Sequence, residues 1–173
     1  MSDFDTIRPL RWQDDHLAVL DQRRLPQVQE WLACHDSDQV AEAIRTMAVR
    51  GAPAIGIAAA YGAVLAARDA VTRAPTAWWQ PFSAALEHLA EARPTAVNLR
   101  WALEQQRRRL EPMPDDPVAT LLAGVAEAKA VTLYQQTGFS GTTSDAVIVG
   151  SDPSGEPAAF TGAATAVGRA ARA

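Results

Sequence analysis

The sequence predicts an α/β (α+β) protein with a short N-terminal β-hairpin region, a helical domain and a small α/β tail. Three observations carry this. Two short apolar runs, Ile7-Arg8-Pro9-Leu10-Arg11-Trp12 and Leu17-Ala18-Val19-Leu20, flank Gln13-Asp14-Asp15-His16, the pattern of a hairpin. From residue 36 to about 130, apolar side chains recur at i, i+3, i+4 and i+7, which places them on one face of successive helices. Near residue 131 alanines and charges give way to Gly, Ser and Thr, so residues 1–130 read as one domain and 131–173 as a tail.

After the hairpin, Asp36-Ser37-Asp38 can cap a helix that turns Val40, Ala43, Ile44, Met47 and Ala48 inward, with Gly51 placed to stop it. A second helix should open at Pro53, whose fixed φ suits the first helical position, and run towards Ala70. It is Ala-rich and apolar on every side, which makes it central. A third follows Trp78-Trp79-Gln80-Pro81, with Phe82, Ala85, Leu86 and Leu89 on one face. Arg93-Pro94 interrupts it, because the residue before a proline is pushed out of helical backbone.

A fourth helix, starting near Pro94, carries Leu99, Ala102, Leu103 and Leu110 inward and ends in an exposed Arg107-Arg108-Arg109. Beyond Pro112, Pro114 and Pro117, the residues Val118, Leu121, Leu122, Val125 and Ala126 make another amphipathic helix. The tail offers the apolar run Ala146-Val147-Ile148-Val149, the turn-rich stretch from Ser151 to Pro157, and a short helix from Ala164. It is too small to make a convincing domain alone.

Lys+Arg number 16 and Asp+Glu 20, a net charge of −4, which disfavours an electrostatic nucleic-acid binder. Fifteen of the basic residues are Arg, a skew that reads as codon bias before function. With Cys34 alone, no disulfide scaffold is available. No apolar run approaches the ~20 residues of a membrane span, and the N-terminus lacks a signal-peptide pattern, so the expectation is a cytoplasmic protein with no membrane partner.

The stretch Val49-Arg50-Gly51-Ala52-Pro53-Ala54-Ile55-Gly56 is the most informative. Small residues let a ligand approach the backbone, the first amides of a helix have no intrahelical partner, and the dipole there favours an anion. Beside Arg50 this outlines a phosphate site. The plain alternative is that Gly51 ends one helix, Pro53 starts the next and Arg50 is solvated. Arg93-Pro94-Thr95 repeats the arrangement, and two guanidinium groups could clamp one phosphate. Asn98 and Thr95 could face the same ligand, or act only as caps.

Gly51, Gly56 and Gly62 do not match the dinucleotide fingerprint, so no cofactor is expected. His16, His35 and His88 are isolated in sequence and give no metal spacing; Cys34-His35 is poor nucleophile–base geometry. Trp78-Trp79 reads as a packed loop anchor, and Asp14-Asp15 and Asp115-Asp116 as turn acids.

Taken together, Leu20-Asp21-Gln22-Arg23-Arg24-Leu25-Pro26, the run from Ile44 through Arg50-Gly51-Ala52-Pro53 to Gly62, and Ala92-Arg93-Pro94-Thr95-Ala96-Val97-Asn98-Leu99 closely resemble the N-terminal region of the methylthioribose-1-phosphate isomerase family, over about residues 7–130. The resemblance implies aldose–ketose isomerisation of a sugar-phosphate substrate in methionine salvage, without an organic cofactor, by a homodimer. It places substrate binding on Arg50, Gly51, Ala52 and Arg93. It also implies a Rossmann-like C-terminal domain bearing the catalytic cysteine and aspartate, whose motifs do not occur here; Cys34 lies outside the cysteine motif.

In place of that domain, Ser140-Gly141-Thr142-Thr143-Ser144-Asp145-Ala146-Val147-Ile148-Val149, with Phe160-Thr161-Gly162-Ala163-Ala164-Thr165 and Val167-Gly168-Arg169, resembles the C-terminal end of adenosylcobinamide amidohydrolase, over about residues 137–173. The leading expectation is a truncated or fused chain that binds a phosphosugar and carries no catalytic residue of its own. The alternatives are an amidohydrolase fragment using Thr142, Thr143, Ser144 and Asp145, which have no nearby histidine or lysine to activate them, and a non-enzymatic helical domain that binds a protein partner.

Overall fold

A computed structural model describes residues 9–125; everything expected of the tail, and of Ile7, Arg8 and Ala126 to Lys129, lies outside them. The hairpin is present. Strand β1 (Leu10–Gln13) pairs antiparallel with β2 (His16–Leu20), closed by the two-residue turn Asp14-Asp15, where Asp14 takes a φ of 28°. A third strand, β3 (Trp31–Cys34), which the sequence reading did not anticipate, pairs antiparallel with β2. That makes β2 the central strand, and Leu17, Ala18, Val19 and Leu20 are all buried.

Helix α1 (Ser37–Arg45) is capped as expected: the Asp36 carboxylate accepts from Gln39 N at 2.8 Å. It ends earlier than the periodicity suggests. Met47 turns into left-handed backbone at φ 62°, which terminates the helix and leaves its side chain 43% exposed rather than in the core. Gly51 is therefore not the stop. At φ 84° and ψ 134° it is the residue that opens α2 (Ala52–Arg73), with Pro53 in the first turn. This conformation is one that L side chains avoid.

Helix α2 is the centre of the domain, buried from Ile55 to Ala70 on nearly every face. By length and composition it could cross a membrane, contrary to the expectation that no segment could; most of it is buried by the surrounding elements, as a core helix is. Trp12 of β1 stacks on Tyr61 at 5.1 Å and 7° between planes, fixing the sheet to α2. At Gly62 a Cβ would meet Leu89 Cδ2 at 3.0 Å and Val40 Cγ1 at 3.1 Å, so the missing side chain is what lets α1 and the following helix close on α2.

Helix α3 (Trp79–Glu91) buries Phe82, Leu86 and Leu89. Trp78 anchors its start, edge-on to Trp79 at 5.7 Å and to Phe82 at 6.1 Å. Helix α4 (Val97–Leu110) begins three residues after Pro94, not at it, and buries Leu99, Ala102, Leu103, Gln106 and Leu110. Its terminal arginines are less free than expected, because Arg107 and Arg108 both pair with Glu104, at 3.1 and 2.8 Å. A fifth helix, α5, covers the last described residues, 117–125, and the Asp116 carboxylate caps it by accepting from Ala119 N at 2.9 Å.

Candidate functional site

The candidate site lies at the N-terminal ends of α2 and α4. Asn98, in the first turn of α4, lies so close to Gly56 that a Cβ there would stand 3.1 Å from the Asn98 carbonyl oxygen. Two turns further along α4, Gln106 Nε2 donates to Ala60 O at 3.4 Å and to Leu121 O at 3.1 Å. Contacts advance along both helices together, so α2 and α4 run in the same sense and their N-termini open at one end of the domain. Neither end has a side-chain cap. Free amides and two aligned dipoles thus face the same side.

Arg50 stands in the loop immediately before α2, exposed, its Nε donating to Met47 O at 3.3 Å. Gly51 and Ala52 follow it at the mouth of the helix, both exposed. Arg93 is half-buried in the turn between α3 and α4, where its carbonyl accepts from Ala96 N at 3.0 Å. Arg100 Nε reaches back to Pro94 O at 3.1 Å and holds that turn against the first turn of α4. Because α4 starts at Val97, Arg93 is not at a helix N-terminus in the way Arg50 is; it belongs to the turn that leads there.

A third segment supports the loop. Gln22 N donates to Ala48 O at 3.0 Å, tying residues 20–26 to the strand of chain that delivers Arg50. Within that segment the buried Asp21 carboxylate accepts from Arg23 Nε at 2.8 Å, Arg23 Nη2 at 2.6 Å and Arg23 N at 3.0 Å. The side-chain hydrogen bonds from Arg23 hold the Asp21 carboxyl below its ordinary value of 3.8. Sequence reasoning did not single out Asp21 or Arg23; the signal was present only as part of the Leu20–Pro26 motif. A depressed folded pKa stabilises above the unfolded value and loses that contribution as pH falls through the folded one. Asp21→Asn is therefore expected to be less stable than the unmutated chain at pH 7. The gap should close as pH falls below the ordinary value of 3.8 and on through the lowered folded one, as read by thermal melts across pH.

Guanidinium groups donate and do not accept protons at neutral pH. Arg50 and Arg93 can hold and orient an anion, and cannot serve as a base. Cys34 is buried, and burial with the nearby Asp36 pushes its thiol up to about 11, so it stays protonated and unreactive at neutral pH. His16 and His35, isolated in sequence, are brought together by the sheet, with ring centroids 4.7 Å apart.

Two kinds of known protein match this chain. Residues 48–129 match the Initiation factor 2 subunit family, and residues 110–173 match Adenosylcobinamide amidohydrolase. More particularly, the front of the chain is similar to methylthioribose-1-phosphate isomerase. The enzyme so named from Alkalilimnicola ehrlichii is 54% identical over 131 residues, which are 76% of this chain and 36% of that one. Its counterpart from Stenotrophomonas maltophilia is 51% identical over 74% of this chain and 35% of its own length.

Solved structures agree. The 5-methylthioribose 1-phosphate isomerase of Pyrococcus horikoshii OT3 superposes with a TM-score of 0.63 at 31% identity, over 76% of this chain and 37% of that one. The eIF-2B delta subunit from A. fulgidus superposes with a TM-score of 0.60 at 30% identity, over 38% of its length. The chain thus spans about a third of the relatives it matches.

Proposed function

We propose that residues 9–125 are the phosphosugar-holding part of a methylthioribose-1-phosphate isomerase. In this reading Arg50, the backbone at Gly51 and Ala52, and Arg93 grip the phosphate of an aldose 1-phosphate. The observation that carries the reading is the shared opening of the uncapped α2 and α4 N-termini beside the Arg50 loop, in a chain half-identical to enzymes of that name. Helix N-termini bind anions without a cofactor, and the guanidinium groups add charge-assisted, directional hydrogen bonds. The proposal carries with it a place in methionine salvage, a cytoplasmic location and assembly as a homodimer.

Moving a proton between neighbouring carbons needs a positioned acid and base, and the four residues assigned to the site supply neither. The chain of 173 residues is therefore expected to bind and not to turn over. Titration with S-methyl-5-thioribose 1-phosphate should raise the melting temperature, because a ligand held by the folded state stabilises it. Arg50→Ala should weaken binding by about 10- to 100-fold, the value of one or two hydrogen bonds to a charged group. Isomerase turnover that disappears in Arg50→Ala would overturn the inactive part of the proposal. A melting temperature unmoved by the ligand would overturn the binding part and favour a partner-binding role.

A second reading rests on the match of residues 110–173 to Adenosylcobinamide amidohydrolase. It gives the tail an amide-hydrolysing role through Thr142, Thr143, Ser144 and Asp145. Loss of the side-chain amide from adenosylcobinamide on incubation with the full chain would support it.

A further inference from the structure

The turn of the hairpin and the end of β3 carry a group of side chains that the phosphate site does not use. Antiparallel pairing sets Leu17 opposite Cys34, so the next step of the same register sets His16 opposite His35. Cross-strand neighbours on one face stand within side-chain reach. The two imidazoles lie 4.7 Å apart between centroids, tilted by 36°. Asp15, next in the turn, places its carboxylate 2.8 Å from His16 Nδ1. One donor atom from each of the three lies within 4.8 Å of the others.

The backbone beneath them is held by one residue of α2. Arg68 donates through Nη1 to Asp15 O and through Nη2 to His35 O, the latter at 2.9 Å. The guanidinium thus fixes the two chain segments relative to each other by their carbonyls, and leaves the carboxylate and both rings free of it. On the other side, His35 N donates to Gln39 Oε1 at 2.7 Å, fixing the His35 backbone against the first turn of α1.

We propose that Asp15, His16 and His35 form a zinc site at this edge of the sheet, with two imidazole nitrogens, one carboxylate oxygen and an open fourth position. Two imidazoles and a carboxylate are a donor set that suits zinc over magnesium or calcium. Ligands bonded to one zinc at about 2.0–2.2 Å stand roughly 3.4 Å apart in tetrahedral geometry. Asp15 and His35 are both exposed, so their side chains have room to turn towards a common ion while Arg68 holds the backbone. Sequence spacing hides the set, since His16 and His35 are nineteen positions apart and meet only through the β2–β3 register.

The test uses the full chain and zinc chloride alone, followed by calorimetric titration. One equivalent of zinc is expected to bind the unmutated chain, and the affinity should fall more than tenfold in His16→Asn and in His35→Asn. His88→Asn is the control, because His88 lies on α3, 3.8 Å from Asp38, and should bind zinc as the unmutated chain does. Cobalt(II) should give the absorption of a tetrahedral ion. As a measurement that needs no variant, zinc should shift the imidazole resonances of His16 and His35 and leave those of His88 in place. Equal zinc affinity in the His16→Asn, His35→Asn double variant, or shifts confined to His88, would overturn the proposal.

Discussion

Phe82→Ala is expected to cost about 3–5 kcal/mol of folding stability, the range for truncating a fully buried aromatic side chain. Phe82 is 0% exposed and sits where Trp78, Trp79 and α3 close on the core. Its ring is 5.9 Å from Trp79 and 6.1 Å from Trp78, and both contacts disappear with it. The cavity would open beside the buried Trp78 at the start of α3. Typical domains are stable by only 5–15 kcal/mol. The variant should therefore melt roughly 15 °C lower, measured by circular dichroism of the full chain. A loss under about 1 kcal/mol would mean that the Trp78–Phe82 cluster is not part of the cooperative core.

The helices were legible in the sequence because burial there follows a period of 3.6. Val40 and Ile44 of α1, Phe82, Leu86 and Leu89 of α3, and Leu99, Leu103 and Leu110 of α4 all face inward as the pattern predicts. The all-apolar composition of α2 correctly marked it as central. What the pattern could not supply is where each helix stops. Met47 fits the inward period of α1, yet the chain must turn there to deliver Arg50 to the mouth of α2, and its left-handed φ of 62° carries the side chain outward. The fourth helix was placed too early for a related reason. Pro94 suits a first helical position, but here it lies in a turn closed by Ala96 N on Arg93 O, and Ala96 precedes the first helical residue.

Strand β3 was missed because Trp31-Leu32-Ala33-Cys34 is four residues long and has no polar alternation to reveal its faces. Among the described residues it pairs only with β2, whose second backbone edge would otherwise leave its N–H and C=O groups without partners. Once β3 is present, features scattered in sequence become local. Arg11 stands over the Trp31 ring at 4.3 Å, and His16 meets His35. Gln106 is a similar case. An amphipathic pattern would put glutamine outside, but it is 1% exposed and its amide links α4 to carbonyls of both α2 and α5. Pairings of this kind are set by tertiary geometry, which no window along the chain contains.

The candidate phosphate site was legible as chemistry and not as geometry. Arg50-Gly51-Ala52 and Arg93 could be named from motif and dipole arguments, but the parallel course of α2 and α4 rests on the contacts of Gly56 with Asn98 and of Gln106 with Ala60. The contact at Gly56 makes the sharpest prediction about the site. A Cβ at residue 56 would lie 3.1 Å from Asn98 O and 3.4 Å from Asn98 Cβ, against backbone that cannot rotate away. Gly56→Ala should be absorbed by a shift of a few tenths of an ångström. Gly56→Val adds branches at the same point and must push the first turn of α4 off α2, at a cost of about 1–3 kcal/mol from overpacking.

The loss of ligand binding should exceed what that instability explains. On the proposed reading, in which both N-termini and both arginines share one phosphate, moving the α4 N-terminus would part the two halves of the site. Gly56→Val should hence bind S-methyl-5-thioribose 1-phosphate more than tenfold more weakly at a temperature where circular dichroism still shows full helix, with Gly56→Ala between it and the unmutated chain. Each tenfold corresponds to about 1.4 kcal/mol of lost interaction. Unchanged affinity in a folded Gly56→Val would show that α4 contributes nothing to the phosphate, leaving Arg50 and the mouth of α2 to hold it alone.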